Sequence, residues 1–173
     1  MRRDLIAGAD IFHITRDFQD ESSFDQKRTG GGVRIGYPLT PNLRQTLRYR
    51  LENNDLSNVS DTASIFIREQ EGQRLTSAIS QRLQYQNLDS MRFPTEGTRA
   101  WLDTEVAGLG GDAKYVSGRT GISHYIPISE GWIFNAFGEV GAIEPYGGEE
   151  IQINERFFLG GNSLRGFEQA GVG

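Results

Sequence analysis

Apolar and polar side chains alternate with a period of two along most of the chain. Between positions 43 and 52 the odd residues are mainly Leu and Tyr, whereas the even residues are mainly Arg and Thr. The segments 97–108, 113–128 and 131–144 alternate in the same way, which is typical of β-strands that place one face in an apolar environment. Apolar positions do not keep the spacing of a helix over any segment longer than about ten residues. The pattern therefore predicts an all-β, antiparallel structure.

The alternation also predicts where the strands and their connections lie. Two connections, 37–42 and 128–131, are tight turns, whereas 15–28 and 53–74 are long and polar. Short turns at one end of the strands and long loops at the other favour a transmembrane β-barrel. We expect about seven strands, near residues 4–15, 29–39, 43–54, 75–89, 97–108, 113–128 and 131–144.

The polar faces of these strands are rich in arginine, at positions 34, 44, 48, 50, 82, 99 and 119. A polar channel interior tolerates them, but so does the solvated face of a soluble β-sandwich, so the alternation alone leaves both folds open. In the barrel, one set of residues faces lipid: Leu47, Leu83, Leu102 and Phe134. The opposite set faces the lumen: Arg48, Arg82, Asp103 and Glu139. Aromatic residues near the short turns would form a girdle at the membrane interface: Tyr37, Phe93, Tyr125 and Trp132.

Composition narrows the classes of function. The net charge of −5 argues against a nucleic-acid partner, and the absence of cysteine removes thiolate metal sites and disulfides. His13 and His124 have no second ligand at metal-binding spacing, and Ser123 and His124 face opposite sides of a strand. Asp103 and Glu105 share a face, where we expect them to balance lumen arginines rather than act as a catalytic pair. We therefore expect no enzyme activity, no cofactor and no metal.

Two motifs add a resemblance to a known family. The run from Asn154 to Phe167 reads NERFFLGGNSLRGF, and residues 89–97 read DSMRFPTEG. The first closely resembles the sixth-extracellular-loop signature of BamA-type outer-membrane assembly barrels, although Leu replaces the usual Val. The second is similar to the family's turn with P-T-x-G at its end. The functional loop motif comprises Gly160, Gly161, Leu164, Arg165, Gly166 and Phe167. The turn motif comprises Phe93, Pro94, Thr95 and Gly97.

The resemblance implies that residues 1–173 are part of a single outer-membrane β-barrel domain. The expected fold is about seven strands of a sixteen-stranded barrel, followed by a lumen-directed loop over 145–173 that carries the R-G-F motif. The remaining strands, the lateral gate and the periplasmic POTRA domains would lie outside this segment. Seven strands leave two unpaired edges, through which we expect such a fragment to self-associate.

The function that the resemblance implies is the non-covalent insertion of other β-barrel proteins into the bacterial outer membrane. The partners would be unfolded outer-membrane β-barrel clients, assembly-complex lipoproteins and outer-membrane lipid. The alternative is a two-partner secretion pore of the same superfamily, which translocates one partner protein; the number of upstream POTRA domains would discriminate between the two.

Within the loop, Arg165 is expected to hold the segment in the lumen, and Phe167 to fill an apolar recess. In the family the partners of this arginine follow the loop. Within this chain, the inward acids Asp103, Glu105 and Glu139 are the candidates to replace them.

Overall fold

The structure is a computed structural model that describes residues 5–17, 24–60 and 65–148. These residues form one antiparallel sheet in which each strand pairs with the next along the chain. Within these described residues the sheet does not close on itself, since β1 and β7 are not paired with each other. Its strands are β1 (Ile6–Asp17), β2 (Asp25–Pro38), β3 (Leu43–Ser57), β4 (Gly72–Leu88), β5 (Gly97–Ala107), β6 (Tyr115–Ser129) and β7 (Trp132–Pro145).

All seven predicted strands are present, and their ends differ from the predicted ones by a few residues. The largest differences lie at the long loops, where the ladder continues through polar residues such as the pair Arg28 and Asn54. Polar side chains continue the strands here because they bond across them: the Gln26 amide donates to Asn54 Oδ1 at 2.9 Å. The loop predicted at 53–74 also contains a helix, α1 (Ile65–Arg68), which at four residues is too short to produce a helical period. Within the described residues, no helix is long and apolar enough to cross a membrane.

The register confirms the predicted division of the faces. Leu83 lies opposite Leu102, and Arg82 lies opposite Asp103 on the other face. The same alternation continues through every strand pair, so that Leu47 and Phe134 share the face of Leu102, while Arg48 and Glu139 share the face of Asp103.

The apolar face is free of charge over its central rows. From β2 to β7 it carries only apolar residues, glycine and uncharged polar residues between the strand ends. Its large side chains are exposed, with Val33 56% and Leu102 39% accessible, whereas Glu52 on the polar face is only 4% accessible. A soluble sandwich would bury the apolar face under a second sheet, and the described residues form only one. The faces therefore match a wall with lipid on one side and a polar interior on the other.

The prediction that Tyr125 belongs to the aromatic girdle is wrong. Tyr125 lies opposite Asn135, on the same face as Ser123, whose hydroxyl bonds Asn135 Oδ1 at 3.1 Å. Its side chain is therefore on the polar face, because the apolar face of β6 carries the even-numbered residues. Tyr85, which pairs with Ala100 near the same end of the sheet, is on the apolar face instead.

The most deeply buried residues lie at the long-loop end of the sheet. The turn between β5 and β6 folds against the extension of β4, where Asp112 N donates to Leu75 O at 2.7 Å and Gly108 N donates to Ser77 O at 3.0 Å. The small cluster under this turn comprises Ala78, Ala107, Ala113 and Tyr115, with Ile143 packed against it.

Substituting an arginine onto each face of the sheet tests directly which face meets lipid. Leu102→Arg places a guanidinium at the middle of β5 on the apolar face, which costs about 2–4 kcal/mol in a bilayer. Ser117→Arg places the same group on the polar face, opposite Glu105. We expect Leu102→Arg to lower the yield of heat-modifiable, folded full-length protein in lipid vesicles, and Ser117→Arg to leave it close to that of the wild type. Equal yields would contradict the assignment.

Candidate functional site

Several arginines on the polar face of the sheet are paired with carboxylates, most of them from other strands. Arg48 on β3 donates to Asp10 on β1 at 2.8 Å, reaching across β2. Arg34 on β2 lies directly opposite Arg48 and is 3.7 Å from the same carboxylate. One aspartate therefore serves two neighbouring guanidinium groups, which ties three strands together through their side chains.

A second group of charges surrounds Arg50. This guanidinium contacts Glu52 at 3.0 Å and Glu105 at 2.9 Å, so it joins β3 to β5 across β4. Glu52 also accepts two hydrogen bonds from Arg28, at 2.6 and 2.9 Å, while the Tyr115 hydroxyl donates to Glu105 at 2.7 Å. Because Glu52 is nearly buried, its pairing with two arginines is what makes a carboxylate tolerable at this position.

The remaining pairs lie between neighbouring strands. Arg82 and Asp103 face each other across β4 and β5 and form two hydrogen bonds of 2.6 Å. Arg119 on β6 and Glu139 on β7 also pair, although the register places Glu139 opposite Gly121. The prediction that the lumen acids balance lumen arginines is confirmed for Asp103 and Glu105.

These pairs leave a polar cleft of about 440 Å³ over the centre of the sheet. Its positive groups are Arg34, Arg48, Arg82 and Arg119, and its acids are Asp103 and Glu105. The three acids that were candidates to bind Arg165 are thus already paired with arginines of the wall. Any group that enters the cleft meets a surface whose charges are largely matched.

Glycines of β1 and β2 make room for the arginines, a role that the sequence analysis missed. A Cβ atom at Gly32 would lie 2.8 Å from the Tyr49 carbonyl oxygen and 3.3 Å from Arg48 Nε. A Cβ at Gly8 on β1 would lie 2.9 Å from Arg34 Nε. The bare backbone therefore lets long side chains lie flat on the sheet. The run Gly30-Gly31-Gly32 beside an arginine-rich strand was the available signal.

The turn motif is a closed structure at the short-turn end, between β4 and β5. Asp89 accepts hydrogen bonds from Thr95 N at 2.9 Å, from the Thr95 hydroxyl and from Glu96 N at 3.1 Å. The hydrogen bond from the Thr95 side chain, followed by those from the two backbone amides, lowers the pKa of Asp89 to about 2. Phe93, at the tip of this turn, is 76% exposed.

Gly97 ends the turn and begins β5 with a backbone that requires glycine. Its φ is +112°, and a Cβ atom would overlap the carbonyl oxygen of Asn87. The structure thus gives physical roles to Thr95 and Gly97 of the turn motif, while Phe93 and Pro94 lie beside them in the same turn. The loop motif lies outside the described residues: Gly160, Gly161, Leu164, Arg165, Gly166 and Phe167.

The two histidines are bonded across strands on the apolar face. His13 Nδ1 is 2.7 Å from the Thr29 hydroxyl, and His124 Nδ1 is 2.8 Å from that of Thr98. Among the described residues, no three His, Asp or Glu side chains lie close enough together to bind a metal ion.

Comparison with known proteins identifies the family of this chain. The Omp85 superfamily domain matches residues 2–173. The chain belongs to the Omp85 superfamily.

Relatives within this superfamily come from bacteria and from animals. The outer membrane protein assembly factor BamA of Neorickettsia risticii is 26% identical over 170 residues, which are 98% of this chain and 23% of that protein. The sorting and assembly machinery component 50 homolog of Mus musculus is 26% identical over 165 residues, 94% of this chain and 35% of that protein. The chain therefore spans about a quarter to a third of the length of these curated relatives.

A solved structure shows the same fold. The crystal structure of BamA from Haemophilus ducreyi lacking POTRA domains 1–3 superposes with a TM-score of 0.84 at 24% identity. The superposition covers 98% of this chain and 36% of the other. The seven-stranded sheet of this Omp85 chain is thus a portion of a BamA-like barrel.

The role of Gly97 can be measured against a matched glycine. Gly72 begins β4 with a φ of +113°, and a Cβ atom there would meet nothing within 4 Å. Both Gly97→Ala and Gly72→Ala carry backbone strain of roughly 1–3 kcal/mol. Only Gly97→Ala also forces β4 and β5 apart, so we expect it to lower the denaturant midpoint of the full-length protein in lipid further than Gly72→Ala does. Indistinguishable midpoints would show that Gly97 has no steric role.

The lowered pKa of Asp89 gives a pH prediction. A lowered pKa means that the ionised turn is stabilised at all pH values above the ordinary aspartate pKa of about 3.9, and that this stabilisation is lost only as pH falls through about 2. Carboxyl ¹³C shifts of labelled protein in micelles should place the Asp89 midpoint near pH 2. Thr95→Val should move it upward, whereas Thr40→Val in another turn should not. A wild-type midpoint near 3.9 would contradict the hydrogen bonding described here.

Proposed function

We propose that this chain is part of the wall of a protein that assembles other β-barrels into an outer membrane. The observation that carries the proposal is the match of residues 2–173 to the Omp85 superfamily, whose relatives here are named for outer-membrane assembly in bacteria and for sorting and assembly in animals. The chain itself belongs to an outer-membrane barrel, and its uncharged, exposed apolar face suits that location.

The physical task of such a protein is to supply backbone partners. When a strand enters lipid with unpaired N–H and C=O groups, each unpaired group costs several kcal/mol of free energy. An existing strand edge can pair with the incoming strand while it enters, and no covalent step is needed. The clients are unfolded outer-membrane β-barrel proteins, and assembly-complex lipoproteins and outer-membrane lipid are the further proposed partners.

In this proposal the described strands form a rigid part of the barrel wall. Backbone ladders and the ion pairs of Arg48, Arg50 and Arg82 hold neighbouring strands in register. The inserting edge lies elsewhere in the barrel, and the segment 145–173 is the lumen-directed loop. Arg165, Gly166 and Phe167 are the residues of that loop that we propose to be functional.

The loop provides the test of the assembly function. Arg165→Ala in the full-length protein should reduce client assembly in cells and weaken the heat-modifiable fold of the barrel itself. Arg156→Ala is the matched control, because it removes the same charge from the same segment outside the R-G-F motif. If Arg165→Ala behaves like Arg156→Ala in both measurements, the proposed role of the loop is wrong.

Reconstitution separates assembly from secretion. Full-length protein in lipid vesicles should speed the folding of several urea-denatured β-barrel clients, measured by their heat-modifiable mobility. A secretion pore would instead translocate a single partner protein into the vesicle and leave client folding at the spontaneous rate. That second result would overturn the proposal in favour of the pore.

A further inference from the structure

The chain leaves β7 through a tyrosine that is bonded to the neighbouring turn. The Tyr146 hydroxyl donates to the carbonyl oxygen of Ala107, the last residue of β5. The Tyr146 backbone N–H donates to Lys114 O at 3.1 Å. One residue therefore contacts both ends of the turn between β5 and β6, immediately before the segment 149–173.

That turn is itself firmly held. We call residues 108–114 the cap turn. Its backbone bonds β4 at Leu75 and Ser77, and the Asp112 carboxylate accepts a hydrogen bond from Leu75 N at 2.8 Å. Ala107, which precedes the cap turn, and Ala113, which lies within it, are fully buried. Tyr146 is thus attached to one of the most tightly packed places in the described part of the chain.

Glycines fit the chain around the tyrosine. A Cβ atom at Gly108 would overlap the Tyr146 hydroxyl, and one at Gly147 would lie 3.1 Å from the Lys114 side chain. Gly147 and Gly148 have φ values of +71° and +79°, so the backbone turns in the left-handed region directly after the tyrosine. Two consecutive residues of this kind change the direction of the chain sharply.

We propose that Tyr146 is a positioning residue for the loop that carries the R-G-F motif. By binding the cap turn, it fixes the point and direction from which the chain enters 149–173. Its consequence for assembly rests on the proposed function, since a loop that begins from a fixed point samples fewer positions in the lumen. The positioning itself does not depend on what the protein assembles.

A distance measurement tests the positioning alone. The 173 residues contain no cysteine, so spin labels at Ser80→Cys on the polar face of β4 and at Ser163→Cys report one distance in the full-length protein once any other cysteines are replaced. In Tyr146→Phe, which loses only the hydroxyl, the fraction of molecules outside the wild-type distance peak should rise about fivefold, the factor that one lost hydrogen bond typically gives. Tyr85→Phe, on the apolar face far from the cap turn, is the control and should not change the distribution.

The cap turn offers a second, independent comparison. The Cβ atom that Gly108→Ala adds would clash with the Tyr146 hydroxyl. Gly110 lies in the same turn at a φ of +91°, and the Cβ atom that Gly110→Ala adds would have nothing within 4 Å. Gly108→Ala should broaden the distance distribution and Gly110→Ala should not. Heat-modifiable mobility of each variant shows whether the barrel itself remains folded.

The outcomes separate the two proposals. An unchanged distance distribution in Tyr146→Phe, or equal effects of the two glycine substitutions, would overturn the positioning role whatever happens to assembly. Failure of Tyr146→Phe to fold would also overturn it, because the tyrosine would then be a determinant of the barrel. If the distribution changes in Tyr146→Phe but the wild-type protein assembles no client, the positioning role stands and the proposed function is wrong.

Discussion

Backbone pairing between neighbouring strands is the constraint on which this structure depends. In hydrocarbon every N–H and C=O group must have a partner, and each of the strands β1 to β6 pairs with the next strand along the chain. Pairing of this kind fixes the register, and the register fixes which side chains share a face. A shift of one residue would move Arg48 and Asp103 to the apolar face and Leu102 to the polar one. The uncharged face and the arginine-lined face are therefore two consequences of one ladder.

The polar face shows how a barrel wall carries many charges without losing its shape. Arg50 joins β3 to β5, and Asp10 joins β1 to β3, so ion pairs connect strands that share no backbone hydrogen bonds. Gly32 provides the bare backbone on which Arg48 lies. The resulting wall is held together by side chains as well as by its backbone ladder, and its charges are nearly matched.

Much of this was predictable because alternation in sequence translates directly into faces. The opposite placement of Leu102 and Asp103 follows from parity, and so does the position of Tyr125, which was misassigned because its nearness to a turn was weighed above its odd number. The strand ends were less predictable, since polar residues such as Asn54 read as loop but continue the ladder by bonding across it. The contact of Arg50 with Glu105 could not be predicted, because it crosses β4 and depends on the direction in which the long side chain extends. The Tyr146 contact with Ala107 joins residues 39 apart in sequence and has no local signal.

The alternation of faces requires that the even-numbered side chains of β5 meet lipid and that the odd-numbered ones meet water. Spin labels placed singly at residues 100 to 105 of the full-length protein in bilayers test it, by relaxation with oxygen and with a water-soluble nickel complex. We expect oxygen accessibility to peak at 100, 102 and 104 and nickel accessibility to peak at 101, 103 and 105. A profile without a two-residue period, or with the two reagents reversed, would contradict it.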